Sequence, residues 1–273
     1  MNVAVVSGKG GAGKTSFAAG LARTAHRRGV EAAYLDCDVE GPNGHLFLHP
    51  ERVVRTPVTQ LRPVIDETRC TACGLCRDFC RFGAFVARPG GVRLIPELCH
   101  ACGGCARVCP EQAIREEPRD IGETALGDAR GLAYAGGVLH PRETAAPEVI
   151  RVLAERAPRR AWWVLDAPPG TACPAVETLR QAEFAVLVME ATPFGLHDAG
   201  LALDMIRMLD MPAAAVLNKC AAGVEAARRM CRDAGLEILA EIPERRDIAQ
   251  GGARGQLPED AWPPAGKLMR EAW

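Results

Sequence analysis

Residues 7–16 read SGKGGAGKTS, and the fold turns on this stretch. Gly8 to Thr15 fits the pattern G-x-x-x-x-G-K-[ST]. It follows a short apolar run, predicted as a strand over Val3–Val6, and opens a helix predicted from about Thr15 to Arg28. Strand, loop and helix agree, which argues against a chance glycine-rich turn. Glycines let consecutive backbone N–H groups turn toward phosphate oxygens, and the helix N-terminus adds partial positive charge. On this reading Gly8, Gly10, Gly11, Ala12, Gly13 and Ser16 cradle the phosphates of ATP. Lys14 reaches the β- and γ-phosphates, and the Thr15 hydroxyl ligates Mg²⁺.

Outward from the loop, short apolar runs alternate with helical patterns. Strands are predicted near Ala32–Leu35, Trp162–Leu165, Phe184–Met189, Ala213–Leu217 and Leu236–Leu239, with helices over Ala199–Leu209 and Val224–Ala234. Such alternation implies an α/β fold with a mostly parallel sheet and helices on both faces. Residues Arg119–His140 are glycine-rich and weakly patterned, and read as a hairpin and loop.

Between these flanks lies a local repeat. Cys70, Cys73, Cys76 and Cys80 recur twenty-nine residues later as Cys99, Cys102, Cys105 and Cys109. Each run is C-x₂-C-x₂-C-x₃-C, the spacing of bacterial two-cluster ferredoxins, in which the fourth cysteine crosses to the other cluster. That pattern assigns Cys70, Cys73, Cys76 and Cys109 to one [4Fe–4S] cluster, and Cys99, Cys102, Cys105 and Cys80 to the other. Structural zinc is the alternative, but it calls for separated pairs of ligands. The second run ends in Cys109-Pro110 as the pattern expects; the first ends in Cys80-Arg81, a departure that would add positive charge near a cluster. The duplicated unit, residues 63–116, therefore reads as an inserted, small α+β ferredoxin-like domain. Residues 1–62 and 117–273 form the discontinuous nucleotide-binding domain around it.

The string KGGAGKTS, with its early Lys9, resembles the deviant Walker A motif of the MinD, ParA, Mrp and nitrogenase iron-protein ATPases. The resemblance implies a nucleotide-sandwich dimer, homodimeric or formed with a paralogue, in which Lys9 reaches the partner's nucleotide. The plainer alternative is a solvent-exposed loop lysine. LDCDVEGPN (Leu35–Asn43) is similar to the switch I segment of that family, which implies that Asp38 orients or deprotonates the attacking water and that Asp36 supports Mg²⁺ through water. A turn-capping aspartate is the alternative for Asp36. WWVLDAPPGTACP (Trp162–Pro174) resembles switch II, placing Asp166 near Mg²⁺ and the Gly170 backbone at the γ-phosphate. In VLNKC, Asn218 resembles the adenine-reading position. Cys173 lies at the offset of a cluster-ligating cysteine in the nitrogenase iron protein, with no second matching cysteine. The resemblance implies that the two switch segments move on ATP hydrolysis, so a module spliced between them would feel the nucleotide state. The arrangement resembles the MinD-superfamily ATPases that contain an inserted ferredoxin domain.

Composition narrows the classes. The chain has 273 residues, is 48% hydrophobic and carries a net charge of −1, so it offers no global attraction to nucleic acid or an acidic membrane. No apolar run spans a bilayer, and the N-terminus lacks a signal-peptide pattern. Twelve cysteines in such a chain read as metal ligands and free thiols in a reducing cytoplasm, not as disulfides. The expected function is ATP hydrolysis that gates electron transfer to an unidentified redox or metalloprotein client. Assistance to metal-cofactor assembly is the alternative, and a MinD- or ParA-like spatial organiser is the second. The terminal PAGKLMREAW (Pro264–Trp273) reads as a docking helix.

Overall fold

The computed structural model describes residues 1–220 and 223–257. The terminal segment read as a docking helix lies outside them. The strands among these residues are β1 (Asn2–Val6), β2 (Ala32–Asp36), β3 (Glu51–Ile65), β4 (Phe85–Arg88), β5 (Gly91–Leu94), β6 (Ile114–Ala129), β7 (Leu132–Leu139), β8 (Trp162–Asp166), β9 (Phe184–Glu190), β10 (Ala213–Cys220) and β11 (Glu237–Pro243). The helices are α1 (Lys14–Arg27), α2 (His45–Leu48), α3 (Leu75–Phe79), α4 (Gly104–Val108), α5 (Ala146–Arg156), α6 (Cys173–Arg180), α7 (Pro193–Met208), α8 (Val224–Ala234) and α9 (Arg246–Ala253).

Nine strands form one sheet in the order β11-β10-β9-β1-β8-β2-β7-β6-β3. From β11 to β7 every pairing is parallel; β6 and β3 are antiparallel additions at one edge. The period-two alternation of β1 explains the two-sided burial. Val3 and Val5 face α1 and its buried Phe17, Leu21 and Ala25, whereas Ala4 and Val6 face the layer built on α5, α6, α7 and α8. The expected mostly parallel sheet with helices on both faces is what the chain forms.

The edge differs from expectation. The hairpin read over Arg119–His140 is made of β6 and β7, but β7 is a buried strand of the main sheet and not a loop. Its LAYAGGVL sequence needs its glycines for fit. A Cβ at Gly136 would overlap the Tyr134 hydroxyl, and one at Gly137 would overlap Val39. No strand was expected over 51–65, yet β3 pairs with β6 from Glu51↔Asp128 to Ile65↔Ile114. Only residues 122–129 of β6 also pair with β7, so beyond Gly122 the two strands run on as a free ribbon. Pro57, Pro63 and several charged side chains suit an outer edge strand, which has no further neighbour to pair with.

The ribbon passes positions 63 and 116 without a break and ends in a lobe that carries the cysteines. Here the sequence repeat becomes a repeat of structure. Helix α4 lies twenty-nine residues after α3, and the pair Phe85↔Leu94 in the β4–β5 hairpin is the counterpart of Ile114↔Ile65 in the ribbon. The Asp66 amide donates to the Ala113 carbonyl at 2.7 Å, and the Ile95 amide to the Ala84 carbonyl at 2.7 Å, again matching pairs. Ala72 and Ala101 both adopt positive φ (58° and 51°), as do Gly74 and Gly103 (81° and 71°). A small core of Ala84, Phe85, Val92 and Ile114 lies beneath the cysteines.

Ile121, fully buried where ribbon meets sheet, should cost about 2–5 kcal/mol when replaced by alanine. Val54→Ala, at a position 65% exposed, should stay within about 0.5 kcal/mol. Urea unfolding of the two variants checks this, and equal midpoints would contradict the described packing at the junction.

Candidate nucleotide site and cysteine lobe

The carboxyl ends of β1, β2, β8, β9 and β10 converge on one cleft, where parallel α/β sheets place ligands. Its cavity is about 430 Å³. Of the expected site residues, Lys9, Gly10, Gly11, Gly13, Lys14, Thr15, Ser16, Asp38 and Asn218 line it. Gly8 and Ala12 support the loop from beneath. A Cβ on Gly8 would overlap the Asp198 backbone of α7, and the Ala12 carbonyl accepts a hydrogen bond from Asn218 Nδ2 at 2.8 Å. Gly13 has φ 91° at the helix N-cap, and a side chain there would collide with the Asn218 amide.

Asp36 and Asp166 close β2 and β8 at paired positions, both fully buried beneath the loop. Lys14 Nζ donates to Asp166 Oδ1 at 2.7 Å, and the Tyr34 hydroxyl donates to Asp166 Oδ2 at 2.9 Å. Burial alone would lower the Lys14 ammonium, but the Asp166 charge and hydrogen bond, with Asp38 and Asp36 behind them, raise it. Asp36 Oδ2 accepts the Gly44 amide at 2.8 Å, while its Oδ1 is buried with no hydrogen-bond partner. Burial, and then the neighbouring Asp166 carboxylate, push the Asp36 carboxyl up from 3.8 to about 8. Asp38 is only partly buried; it is raised by desolvation, with Lys14 opposing the shift. A buried carboxylate oxygen without a partner is a group that a cation or its water shell would satisfy.

Some placements differ from the roles the resemblance implies. The Gly170 amide is bonded to the Ser7 carbonyl at 3.0 Å, and Lys9 Nζ lies 3.3 Å from Glu190 Oε2 of its own chain. The Asn218 amide nitrogen is committed to the phosphate loop. Sequence reasoning missed Glu190 and Lys219. Lys219 Nζ donates to the Gly11 carbonyl at 2.8 Å and lies 3.8 Å from Glu190. It also missed α9, whose Ile248, Ala249 and Gly252 wall the cleft. The only signal for Glu190 was a charge closing an otherwise apolar strand.

The lobe gathers the eight repeat cysteines around two cavities. Cys70, Cys73, Cys76 and Cys109 line a narrow one of about 20 Å³. Cys80, Cys99, Cys102 and Cys105 line a second of about 530 Å³, with Arg81 and Phe82 at its wall. The Ala84 amide points at Cys80 Sγ (3.4 Å), and the Ala113 amide at Cys109 Sγ (3.3 Å). Burial raises the Cys105 thiol to about 11, and the Cys76 thiol is also raised by burial. Among the described residues no group of three or more His, Cys, Asp or Glu side chains converges closely enough to hold a metal ion. Of the remaining cysteines, Cys37 and Cys231 are buried, Cys220 is half-buried and Cys173 is exposed at the start of α6.

The loop after β1, the acidic ends of β2 and β8, and the parallel sheet define a P-loop nucleotide-binding protein. Residues 3–258 match the CbiA family, the CobQ/CobB/MinD/ParA nucleotide binding domain, and the chain belongs to it. Two uncharacterized proteins of Methanocaldococcus jannaschii, MJ0578 and MJ0579, are each 28% identical to it, over 80% of this chain and 78% and 80% of theirs. An iron-sulfur cluster carrier protein of Pseudomonas fragi is 22% identical over 93% of this chain and 76% of its own length. Among solved structures, the septum site-determining protein MinD of Pyrococcus horikoshii, complexed with Mg-ADP, superposes with a TM-score of 0.60. That match has 18% identity and covers 99% of this chain and 96% of that one, a likeness of fold. Among the described residues no helix is long and apolar enough to cross a membrane.

The Asp36 shift has a defined sign. Between roughly pH 4 and 8 the folded chain holds a proton that the unfolded chain has released, so this group's stabilisation is lost as pH rises toward about 8. The melting temperature of the nucleotide-free protein should fall between about pH 5 and 8 and level off above, and Asp36→Asn should flatten that fall. An unchanged slope in the variant would show that Asp36 is not the titrating group.

Proposed function

We propose that this chain is an ATP-hydrolysing iron–sulfur protein in which the nucleotide state governs electron transfer from two [4Fe–4S] clusters to a partner protein. The observation that carries the reading is the lining of the two lobe cavities. Each is surrounded by three cysteines of one run and the fourth of the other, the crossed set that two cubanes need. Eight thiols spread around two cavities, rather than converged on a point, suit a cluster better than a single ion. In this reading residues 63–116 are a ferredoxin-like module, and residues 1–62 and 117–273 are the ATPase. The amides of Ala84 and Ala113 donate toward ligand sulfurs and would help set the potentials. Bound clusters supply one-electron chemistry at low potential.

At the nucleotide, the loop amides and Lys14 bind the phosphates. Thr15, with Asp36 and Asp166 behind it, holds Mg²⁺, and the partner-less Asp36 Oδ1 fits a water of its shell. Asp38, at the cleft wall with a raised carboxyl, positions the attacking water and accepts its proton. Lys9 leaves Glu190 to reach a second subunit's nucleotide, and Gly170 leaves Ser7 to meet the γ-phosphate. Asn218 borders the adenine. That two relatives of equal identity occur in one organism favours a paired partner of the same family. The charge balance gives nucleic acid and membranes no general attraction, and the expected setting is the cytoplasm.

A second reading, assistance to metal-cofactor assembly on a client, is favoured by the likeness to an iron-sulfur cluster carrier protein. The MinD-like fold equally suits a spatial organiser. Anaerobically purified protein should contain about eight iron atoms, at four per cluster, and reduce an acceptor at rates that differ between ATP, ADP and no nucleotide. Equal rates would remove the gating, iron transfer to an apoprotein would favour the assembly reading, and co-sedimentation with liposomes or DNA the organiser. Cys109→Ser should damage the cluster of Cys70, Cys73 and Cys76, seen as loss of one EPR signal. Damage confined to the cluster of Cys99, Cys102 and Cys105 would rule out crossed ligation.

A further inference from the structure

Arg62 stands out among the described residues as a buried cation outside the nucleotide cleft. It belongs to β3 at the root of the lobe and is only 5% exposed. Its Nη1 donates to the carbonyl of Cys99, and its Nη2 to Glu143 Oε2 at 3.2 Å, while its Nε has no partner. Glu143 is itself almost buried, and its other oxygen meets Arg119 Nη2 at 2.9 Å. Desolvating a guanidinium is costly unless its charge is used. Here the charge sits against the backbone of a residue that lines the second cysteine cavity.

Glu143 also has a short route back to switch I. The turn that carries it closes with the Glu143 amide on the His140 carbonyl (3.1 Å). One residue earlier, the Leu139 amide donates to the Val39 carbonyl at 2.8 Å, and Val39 directly follows Asp38. Beyond Glu143, the Thr144 hydroxyl approaches the Glu97 carbonyl at 3.4 Å, two residues before Cys99. Residues 139–144, bonded to Val39 at one end and to Arg62 and Glu97 at the other, therefore join the cleft wall to the cysteine lobe.

We propose that Arg62 is a positioning residue that sets the potential of the cluster held by Cys80, Cys99, Cys102 and Cys105, and that Glu143 makes its effect depend on the nucleotide. This rests on the two-cluster reading above. A thiolate-ligated cluster is anionic, and a nearby fixed cation favours its reduced form. When switch I shifts, the 139–144 turn moves the Glu143 carboxylate relative to Arg62 and changes how much of that positive charge the cluster experiences.

The test is an EPR-monitored redox titration of the anaerobic protein with Mg-ADP and with a non-hydrolysable Mg-ATP analogue. Arg62→Gln should lower the reduced-to-oxidised ratio of one cluster about tenfold at fixed poise, about 59 mV for one electron, and leave the other unchanged. Arg62→Lys should restore part of the difference. Glu143→Gln should keep both clusters and nucleotide affinity while abolishing the nucleotide-dependent shift. Equal shifts of both clusters in Arg62→Gln, or a shift that survives Glu143→Gln, would overturn the proposal. Amide hydrogen exchange over residues 97–101 gives a readout that needs no cluster. Protection there should differ between the two nucleotides in the native sequence and not in Glu143→Gln, and a native chain without that difference refutes the link. A chain that purifies without iron would sink the cluster reading instead, with the exchange comparison still deciding the link.

Discussion

Asp36 and Asp166 end adjacent parallel strands at the same register, in the dry centre of the sheet. Neighbouring strands lie about 4.8 Å apart, so two carboxylates are forced together where charge is least welcome. The chain resolves the conflict locally. Lys14 and Tyr34 both donate to Asp166, and the proton-binding tendency of Asp36 rises until one negative charge can be given up. Breaking one side of such a buried set is far more damaging than replacing it whole, because it strands an uncompensated charge. The first turn of α1, the strand ends and the Gly44 turn are thus held by one electrostatic arrangement.

That arrangement also fixes the start of the acidic segment after β2. The Cys37 amide donates to the Asp166 carbonyl at 3.0 Å, and the Gly41 amide to the Asp38 carbonyl at 3.0 Å. Asp38 is therefore presented by a turn that is tied at its start to the buried Asp166 backbone and closed on itself at Gly41, and it lines the cleft. Glu190 performs a comparable task on the other side, drawing Lys9 and Lys219 toward a single carboxylate. With both lysines there, Lys9 folds back over its own loop.

The phosphate loop, the parallel strands and α8 were legible because their signals are local. A strand–loop–helix pattern, apolar runs and a clean helical period each need no knowledge of neighbours. The cysteine repeat was legible for the same reason, and its symmetry persists down to matching backbone hydrogen bonds. The ribbon was not legible. In β3 the sequence ERVVRTPVTQLRPVI mixes prolines and arginines with valines, and most of its residues are exposed, so no face announces itself. Strand β7 was obscured for the opposite reason. Its glycines weaken strand propensity, but Tyr134 and Val39 occupy the space that side chains there would need. Glu190 and Lys219 were missed because their meaning depends on which strand ends adjoin, which is set by sheet order and not by sequence neighbourhood.

The way the lobe is attached matters as much as its cysteines. A glycine- or serine-rich tether would let it sample many orientations, and a change at the cleft would be lost in that freedom. Instead the lobe is carried by two strands of 15 and 16 residues, paired along nearly their whole length and anchored in the sheet by β7. The free part of the ribbon, residues 114–121 of β6 and their β3 partners, spans roughly 26 Å at ~3.3 Å per residue. Because β7 flanks β2, which leads into the Asp38 turn, the anchor and the nucleotide cleft share a strand boundary. A ligand can move the lobe only by contacting two arrangements of that boundary unequally. The cleft wall is where such unequal contacts are available, since Asp38 and Lys9 both line it and Lys9 is paired with Glu190 of its own chain. The stiffness of the ribbon would then hold Arg62 in place while a displacement at Val39 reached Glu143 through the 139–144 turn.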